Sequence, residues 1–229
     1  MSAREAPPIV VLVTDPRYDL TQTSTTIREA AAALGGRRVL VQLRDKEATS
    51  ESLLAQAHAL RLVTREVGAR LVVNGPLAIA RHSGADGVHL PGRRSASTIE
   101  RACAAAREHL GHLALVTVAA HDDDDVRNAA LAGASAVVVS PIFATPGKGT
   151  PRGIAALSTA RATADAARHD PPLAIYALGG VTGANAAACI EAGADGVAAI
   201  RALYEDGAEL LRALAALERS SGQRRRPWP

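Results

Sequence analysis

Gln42, Arg44 and Lys46 stand at alternate positions at the end of the apolar run VLVQLRDK. Alternate residues of an extended strand share a face, so this spacing predicts an amide and two cations pointing the same way. Unpaired cations withdrawn from water are costly, and a guanidinium beside an ammonium suits a carboxylate or a phosphate. The partner is expected to be a ligand anion or a carboxylate of the chain such as Asp15. A second constellation is SPIFATPGKGTPRG, 140–153, where Thr145, Gly147 and Lys148 combine a hydroxyl, free backbone N–H groups and an ammonium. A structureless loop of that length is uncommon unless functional, and this composition suits a lid over an anion. A third is Gly179 and Gly180 in YALGGV together with Ile200 and Arg201 in AAIRAL, where backbone amides can approach phosphate oxygens. His121 ends an apolar run in AAHDDDDV and is the candidate acid–base group. The acids after it suit a helix N-terminus, as caps and dipole partners, better than a metal site. Asn74 closes the run RLVVN, and His89 within GVHL is a ligand contact or a core histidine according to its face. His58, His82, His109, His112 and His169 fall on or near helical stretches and are expected at the surface.

The elements that hold these residues follow from periodicity. Eight short β-branched runs occur at 9–15, 39–44, 70–75, 86–91, 113–119, 136–142, 173–180 and 195–201. They are continuously apolar, as strands buried on both faces are. Between most of them lie Ala-rich stretches of helical period, several ending in Gly; the connection 76–85 has room for about two turns. SGADGVHL, AGASAVVV and AGADGVAAI repeat one design, a helix end, a tight turn and a strand. Eight such units predict an α/β fold, a single (β/α)8 TIM barrel, in preference to an open doubly wound sheet. The whole chain, 1–229, reads as one domain with its core at about 9–218 and flexible ends at 1–8 and 219–229. Every chemical candidate above falls at the C-terminal end of a strand or in the following loop, where such barrels work.

Composition narrows the function classes. Hydrophobic residues make up 48% of the chain and aromatics 2%, so Ala, Val, Leu and Ile must pack the core. The net charge of +3 owes much to the tail RRRPW and gives no nucleic-acid surface. No apolar run reaches the roughly 18 residues of a membrane span. MSAREAPP lacks a secretory pattern, so a cytoplasmic location is expected. Cys103 and Cys189 are then expected as buried reduced thiols. A homo-oligomer is compatible with all of this.

In order along the chain, VTD, QLRDK, VNG, GADGVHL, SPIFATPGK, ALGGV with a following Asn, and GADGVA resemble the thiamine phosphate synthase family and its relative, the thiazole tautomerases. The resemblance spans roughly 9–203. It implies a synthase that joins a pyrimidine diphosphate to a thiazole phosphate with loss of pyrophosphate. Gln42, Arg44 and Lys46 would then grip the diphosphate, and Asn74 the pyrimidine. Lys148 would aid the leaving group, Thr145 and Gly147 would face the thiazole phosphate, and Gly180, Ile200 and the Arg201 amide would cradle it. Two departures matter. The family's magnesium ligands are acids at the positions of Gly75 and Arg94, and Ala119 replaces a small hydroxyl residue. Pyrophosphate departure leans on charge neutralisation by metal. The spellings NG and LPG resemble the tautomerases, whose substrate is a carboxylated thiazole phosphate and whose reaction is an aromatising proton shift. The resemblance gives that role to His121 with no metal or cofactor; Mg2+ would be required only by the synthase alternative. A non-catalytic barrel binding thiamine-pathway phosphates is the third expectation.

Overall fold

The computed structural model describes residues 6–167, 170–220 and 228. Eight strands, β1 (Val10–Val13), β2 (Val39–Leu43), β3 (Arg70–Val73), β4 (Gly87–Leu90), β5 (Leu115–Ala120), β6 (Ala136–Val139), β7 (Ala174–Leu178) and β8 (Gly196–Ala199), pair in chain order. All pairs are parallel, and β8 closes on β1 through Val10 opposite Val197. The helices among the described residues are α1 (Leu20–Leu34), α2 (Ser50–Val67), α3 (Leu77–Ser83), α4 (Ala96–Leu110), α5 (Asp123–Leu131), α6 (Ala155–Ala166), α7 (Ala186–Glu191), α8 (Arg201–Tyr204) and α9 (Gly207–Ser220). None is long and apolar enough to cross a membrane.

Strand alternation builds two apolar layers. Val11, Val13, Leu40, Val72, Leu115, Val138, Tyr176 and Ala198 fill the barrel interior. Val10, Leu12, Val41, Leu71, Val73 and Val137 face the helices, whose buried faces are Ala, Leu and Ile. Gln42 and His89 belong to the inward register, which carries both to the catalytic end of the barrel. Side-chain caps at Asp19, Thr49, Ser95 and Asp122 start α1, α2, α4 and α5, each typically contributing about 1 kcal/mol.

The threefold repeat is a structural latch. Asp86, Ser135 and Asp195 each accept the N–H of the second residue of the preceding strand, from Leu71, Val116 and Ile175 respectively. In two of the three, an arginine of the helix that precedes the first of the two strands closes the latch: Arg61 of α2 reaches Asp86 at 2.7 Å and Arg161 of α6 reaches Asp195 at 3.0 Å. In the middle copy Arg107 donates to the Gly133 carbonyl instead. The glycine after each Asp is sterically required, because a Cβ on Gly87 would lie 1.9 Å from the Leu115 carbonyl oxygen and one on Gly196 2.5 Å from that of Ile9.

Three expectations need correction. The second strand stops at Leu43, so Arg44 and Lys46 leave it on a loop rather than continuing one strand face. The Thr14 hydroxyl causes this: it accepts from Arg44 N–H at 2.8 Å and donates to the Arg44 carbonyl at 3.3 Å. Asp45 then takes the N–H groups of Glu47 and Ala48 in a tight turn. The ends are also less free than expected. Pro7 and Pro8 are buried, Arg38 donates to the Pro7 carbonyl, Arg219 and Ser220 belong to α9, and Trp228 packs among the barrel-interior residues. Residues 1–5, 221–227 and 229 lie outside those described, as does His169. His58, His82, His109 and His112 are exposed, and both cysteines are buried free thiols. Burial raises the Cys103 thiol and lifts Cys189 to about 11, so both stay protonated at neutral pH. Finally, α8 and α9 follow the last strand where the periodicity reading placed no helix.

Candidate active site

Three groups of side chains ring the C-terminal mouth of the barrel. On the β2–β3 side stand Gln42, 4% exposed, then Arg44, and Asn74, whose N–H bonds to the Leu43 carbonyl at 2.8 Å. Lys46 is exposed on the loop beyond. Asp15, one candidate partner for these cations, is held by Arg17 at 2.8 Å; that guanidinium and, more weakly, Arg44 lower its pKa. Asp45 accepts from Gln56, which with two backbone N–H groups keeps it low as well. Among the described residues no ion pair or side-chain hydrogen bond engages Arg44, Lys46, Arg93 or Lys148.

The second group surrounds a cavity of about 430 Å³ lined by Gly92, Arg93, His121, Ser140, Gly147 and Lys148, among others. This brings together the expected acid–base residue and the expected lid lysine. The His121 ring directs Nδ1 at the Ser140 carbonyl, 3.4 Å away. A carbonyl only accepts, so Nδ1 carries the proton in the neutral ring and Nε2 keeps its lone pair. Nε2 has no hydrogen-bond partner among the described residues. The lid is pinned at its base, where Gly153 N–H bonds to the Ile142 carbonyl and Arg152 N–H to the Pro141 carbonyl. The Arg152 side chain also reaches Asp123 on α5 at 2.6 Å. Beyond these anchors Pro146–Thr150 is exposed, with a turn from Lys148 N–H to the Thr145 carbonyl.

Asp125 is a site residue that sequence reasoning assigned only to helix capping. It is 3% exposed and accepts from His121 N–H at 2.8 Å on one oxygen and from Arg93 N–H on the other. Arg93 is the only non-glycine among the described residues with a positive φ, 59°, a conformation costing about 1–3 kcal/mol unless its surroundings fix it. The available signal was the excess of acids in HDDDD, where one cap suffices. His89 lies between the first two groups. It is 6% exposed and bonds through Nδ1 to the Thr117 hydroxyl at 2.8 Å. Burial, then the charges of Arg44 and His121, lower its pKa to about 4, so it is neutral at pH 7.

The third group is the β7–β8 corner. Leu178 pairs with Ala198, so Gly180 and Ile200 lie in register just beyond the strand ends. Gly180 has φ 64°, and a Cβ there would lie 2.7 Å from Phe143 Cβ, so the turn packs tightly on the root of the lid. Gly179 contacts the same root, with Thr145 Oγ1 3.2 Å from where its Cβ would be. Asn185 closes the turn by donating to the Gly180 carbonyl at 3.0 Å and accepting from Thr182 N–H. Ile200 is the N-cap residue of α8, which begins at Arg201. Tyr204 of α8 stacks on Tyr18 with ring centroids 4.0 Å apart, and Tyr18 donates to Glu205 at 2.7 Å. This tie between the first and last loops was not visible in the sequence.

A family model described as thiamine monophosphate synthase matches residues 10–203. The chain belongs to the thiamine monophosphate synthase family. The thiamine-phosphate synthase of Thiobacillus denitrificans is 39% identical over 207 residues, covering 88% of this chain and 92% of that protein. That of Methanoculleus marisnigri is 39% identical over 199 residues, covering 86% and 87%. Among solved structures, a thiamine phosphate pyrophosphorylase from Pyrococcus furiosus superposes with a TM-score of 0.71 at 22% identity, over 91% of this chain and 96% of that one, and supports the barrel fold. The protein is therefore an enzyme of this family, and a thiamine-pathway phosphate substrate is implied.

The magnesium ion of the synthases finds no matching donor set here. Gly75 offers no carboxylate, and a Cβ there would already lie 2.9 Å from Leu53 Cδ2. Arg94 is an exposed cation whose carbonyl accepts from Asn128. The carboxylates of the mouth, Asp15 and Asp45, are engaged as described, and the described residues hold no group of three His, Cys, Asp or Glu able to bind a metal.

Proposed function

We propose that this enzyme is a metal-independent thiazole phosphate tautomerase. The observation that carries this reading is the cavity shared by His121, Arg93 and Lys148, with a free imidazole nitrogen, uncompensated positive charge and no carboxylate donor set for a cation. His121 takes a proton from one ring-system carbon through Nε2, and a proton is returned at another carbon, leaving an aromatic ring. Atoms and charge balance with no co-reactant. Asp125 and the Ser140 carbonyl fix the backbone and the tautomer of His121. The mouth cations, Arg44 and Lys46 among them, hold the substrate's carboxylate and stabilise the negative charge that develops when the proton leaves. Gly179, Gly180, Ile200 and the Arg201 amide receive its phosphate, with Thr145 and Gly147 beside it. Asn74 and Gln42 contact the ring.

A second reading is thiamine phosphate synthase itself. It is favoured by the names of relatives 34–39% identical over most of the chain, and by Gln42, Arg44, Lys46 and Lys148, which resemble that enzyme's diphosphate grip. One experiment separates the two. Purified protein is given the carboxylated thiazole phosphate tautomer with a chelator, and separately the pyrimidine diphosphate plus thiazole phosphate with Mg2+. The tautomerase reading expects aromatisation with the chelator present, falling about 10²–10⁴-fold in His121→Ala. Mg2+-dependent thiamine phosphate formation without aromatisation would replace it with the synthase.

A further inference from the structure

Arg93 and His121 leave different strands, yet one carboxylate fixes both. Asp125 accepts Arg93 N–H with Oδ1 and His121 N–H with Oδ2. Gly92 fits between them so closely that a Cβ there would lie 2.8 Å from the Ala119 carbonyl oxygen, 2.9 Å from His121 Cδ2 and 3.0 Å from Asp125 Oδ2. The guanidinium-bearing backbone and the imidazole-bearing backbone are thus one rigid unit on a shared cavity wall.

The charge of Arg93 is not used within the chain. The four acids that follow His121 are each committed to other groups. Asp122 caps Asp125 N–H at 2.8 Å, Asp123 pairs with Arg152, Asp124 pairs with Arg127, and Asp125 takes the two backbone N–H groups. Lys148, on the opposite lip of the cavity, adds a second unpaired cation. An exposed arginine whose backbone is fixed on the same cavity wall as a free imidazole can bring its planar guanidinium to a planar carboxylate on the reacting ring and grip it with two parallel bonds.

We propose that Arg93 is the specificity-determining residue of this enzyme, forking the ring carboxylate of its substrate, and that Asp125 is the positioning residue that sets Arg93 against His121. This rests on the tautomerase reading for the identity of the ligand, but its test does not depend on turnover. The probes are two thiazole phosphates, one with the ring carboxylate and one without, titrated calorimetrically into the intact protein. Wild type is expected to prefer the carboxylated compound at least about 10-fold, equivalent to about 1.4 kcal/mol. Arg93→Asn, which tolerates the positive φ, is expected to cut the preference at least about threefold, the remainder resting on Arg44 and Lys46, while leaving affinity for the uncarboxylated compound within about twofold. Arg93→Lys is expected to restore part of the preference, since an ammonium cannot make the fork. Asp125→Asn is expected to lower the preference and, where turnover is measured, to reduce kcat more than it raises KM. Equal affinity of wild type for both compounds, no binding of either, or an unchanged preference in Arg93→Asn overturns the proposal. Arg93-dependent preference in a protein that never aromatises the ring would instead uphold it and sink the tautomerase mechanism.

Discussion

The two ends of this barrel use arginine in opposite ways. At the N-terminal end Arg61, Arg161 and Arg38 are each tied to a carboxylate, Asp86, Asp195 and Glu218, with the Arg161–Asp195 side chains only 12% and 11% exposed. At the C-terminal end Arg17 and Arg152 are paired as well, with Asp15 and Asp123, but among the described residues Arg44, Lys46, Arg93 and Lys148 have no such partner. Arg70 is the floor's exception, half-buried, with burial lowering its pKa and the nearby charge of Asp86 partly offsetting it. Neutralised pairs hold strands in register; in the function proposed above, the unneutralised cations hold an anion that the chain does not supply.

Four measurements break or sharpen this contrast. The largest effect belongs to the floor. Asp195→Ala leaves the Ile175 N–H without its acceptor and takes one carboxylate from Arg161, which keeps Asp165 at 3.2 Å and the Leu173 carbonyl at 3.0 Å, and a loss of about 3 kcal/mol in urea unfolding is expected. A loss below about 1 kcal/mol would mean that the latch is ornamental. Next comes His89. Its pKa is depressed to about 4 in the folded protein from an ordinary 6.5, so the unfolded chain binds the extra proton first. Stability from its neutral form is full above pH 6.5 and drains away as pH falls toward 4, by at most about 3 kcal/mol. Asp15 and Asp45 have lowered pKa values, so their contributions disappear only at lower pH. His89→Gln should flatten the denaturation midpoint between pH 6.5 and 4, and an unchanged slope would place the titration elsewhere. Third, Gly92→Ala pushes a methyl against the His121 ring and the Ala119 carbonyl. A cost of about 1–3 kcal/mol is expected, together with a fall in kcat larger than any change in melting temperature. The smallest stability effect belongs to the mouth. Arg44→Ala should shift unfolding by no more than about 0.5 kcal/mol while weakening thiazole phosphate binding about 10-fold. Marked destabilisation by Arg44→Ala would show that its charge is structural after all.

Much of this layout was legible in the sequence, for identifiable reasons. Strands buried on both faces are written as unbroken Val, Leu and Ile, and the Gly-Ala-Asp-Gly turn, once as Gly-Ala-Ser-Ala, marks three of the crossovers, so a closed eight-stranded ring followed. Candidate site residues could be assigned to the C-terminal mouth because strand ends are easy to find. What failed depended on distant partners. The end of β2 is set by a hydroxyl thirty residues earlier in the chain, at Thr14, so alternation carried the strand face too far, to Lys46. Asp125 looked like one more cap because its second partner, Arg93, lies on the preceding loop. The missed α9 is a different case. Its stretch GAELLRALAALERS is as periodic as any helix in the chain, and local pattern alone was sufficient to find it.

The latches also have a consequence for how the ring comes apart. Asp86 locks β4 to β3, Ser135 locks β6 to β5, and Asp195 locks β8 to β7, so three of the four consecutive strand pairs carry their own fastener. A cut in the exposed stretch Gly111–Leu113, between α4 and β5, keeps all three strand-to-strand bonds within one fragment or the other and parts only the Arg107–Gly133 contact of the middle latch. A cut at Gly84 parts Asp86 from both Leu71 and Arg61. The barrel is thus divisible along some seams and not others, and two half-barrels split after α4 are the pieces suited to reassemble from separate chains.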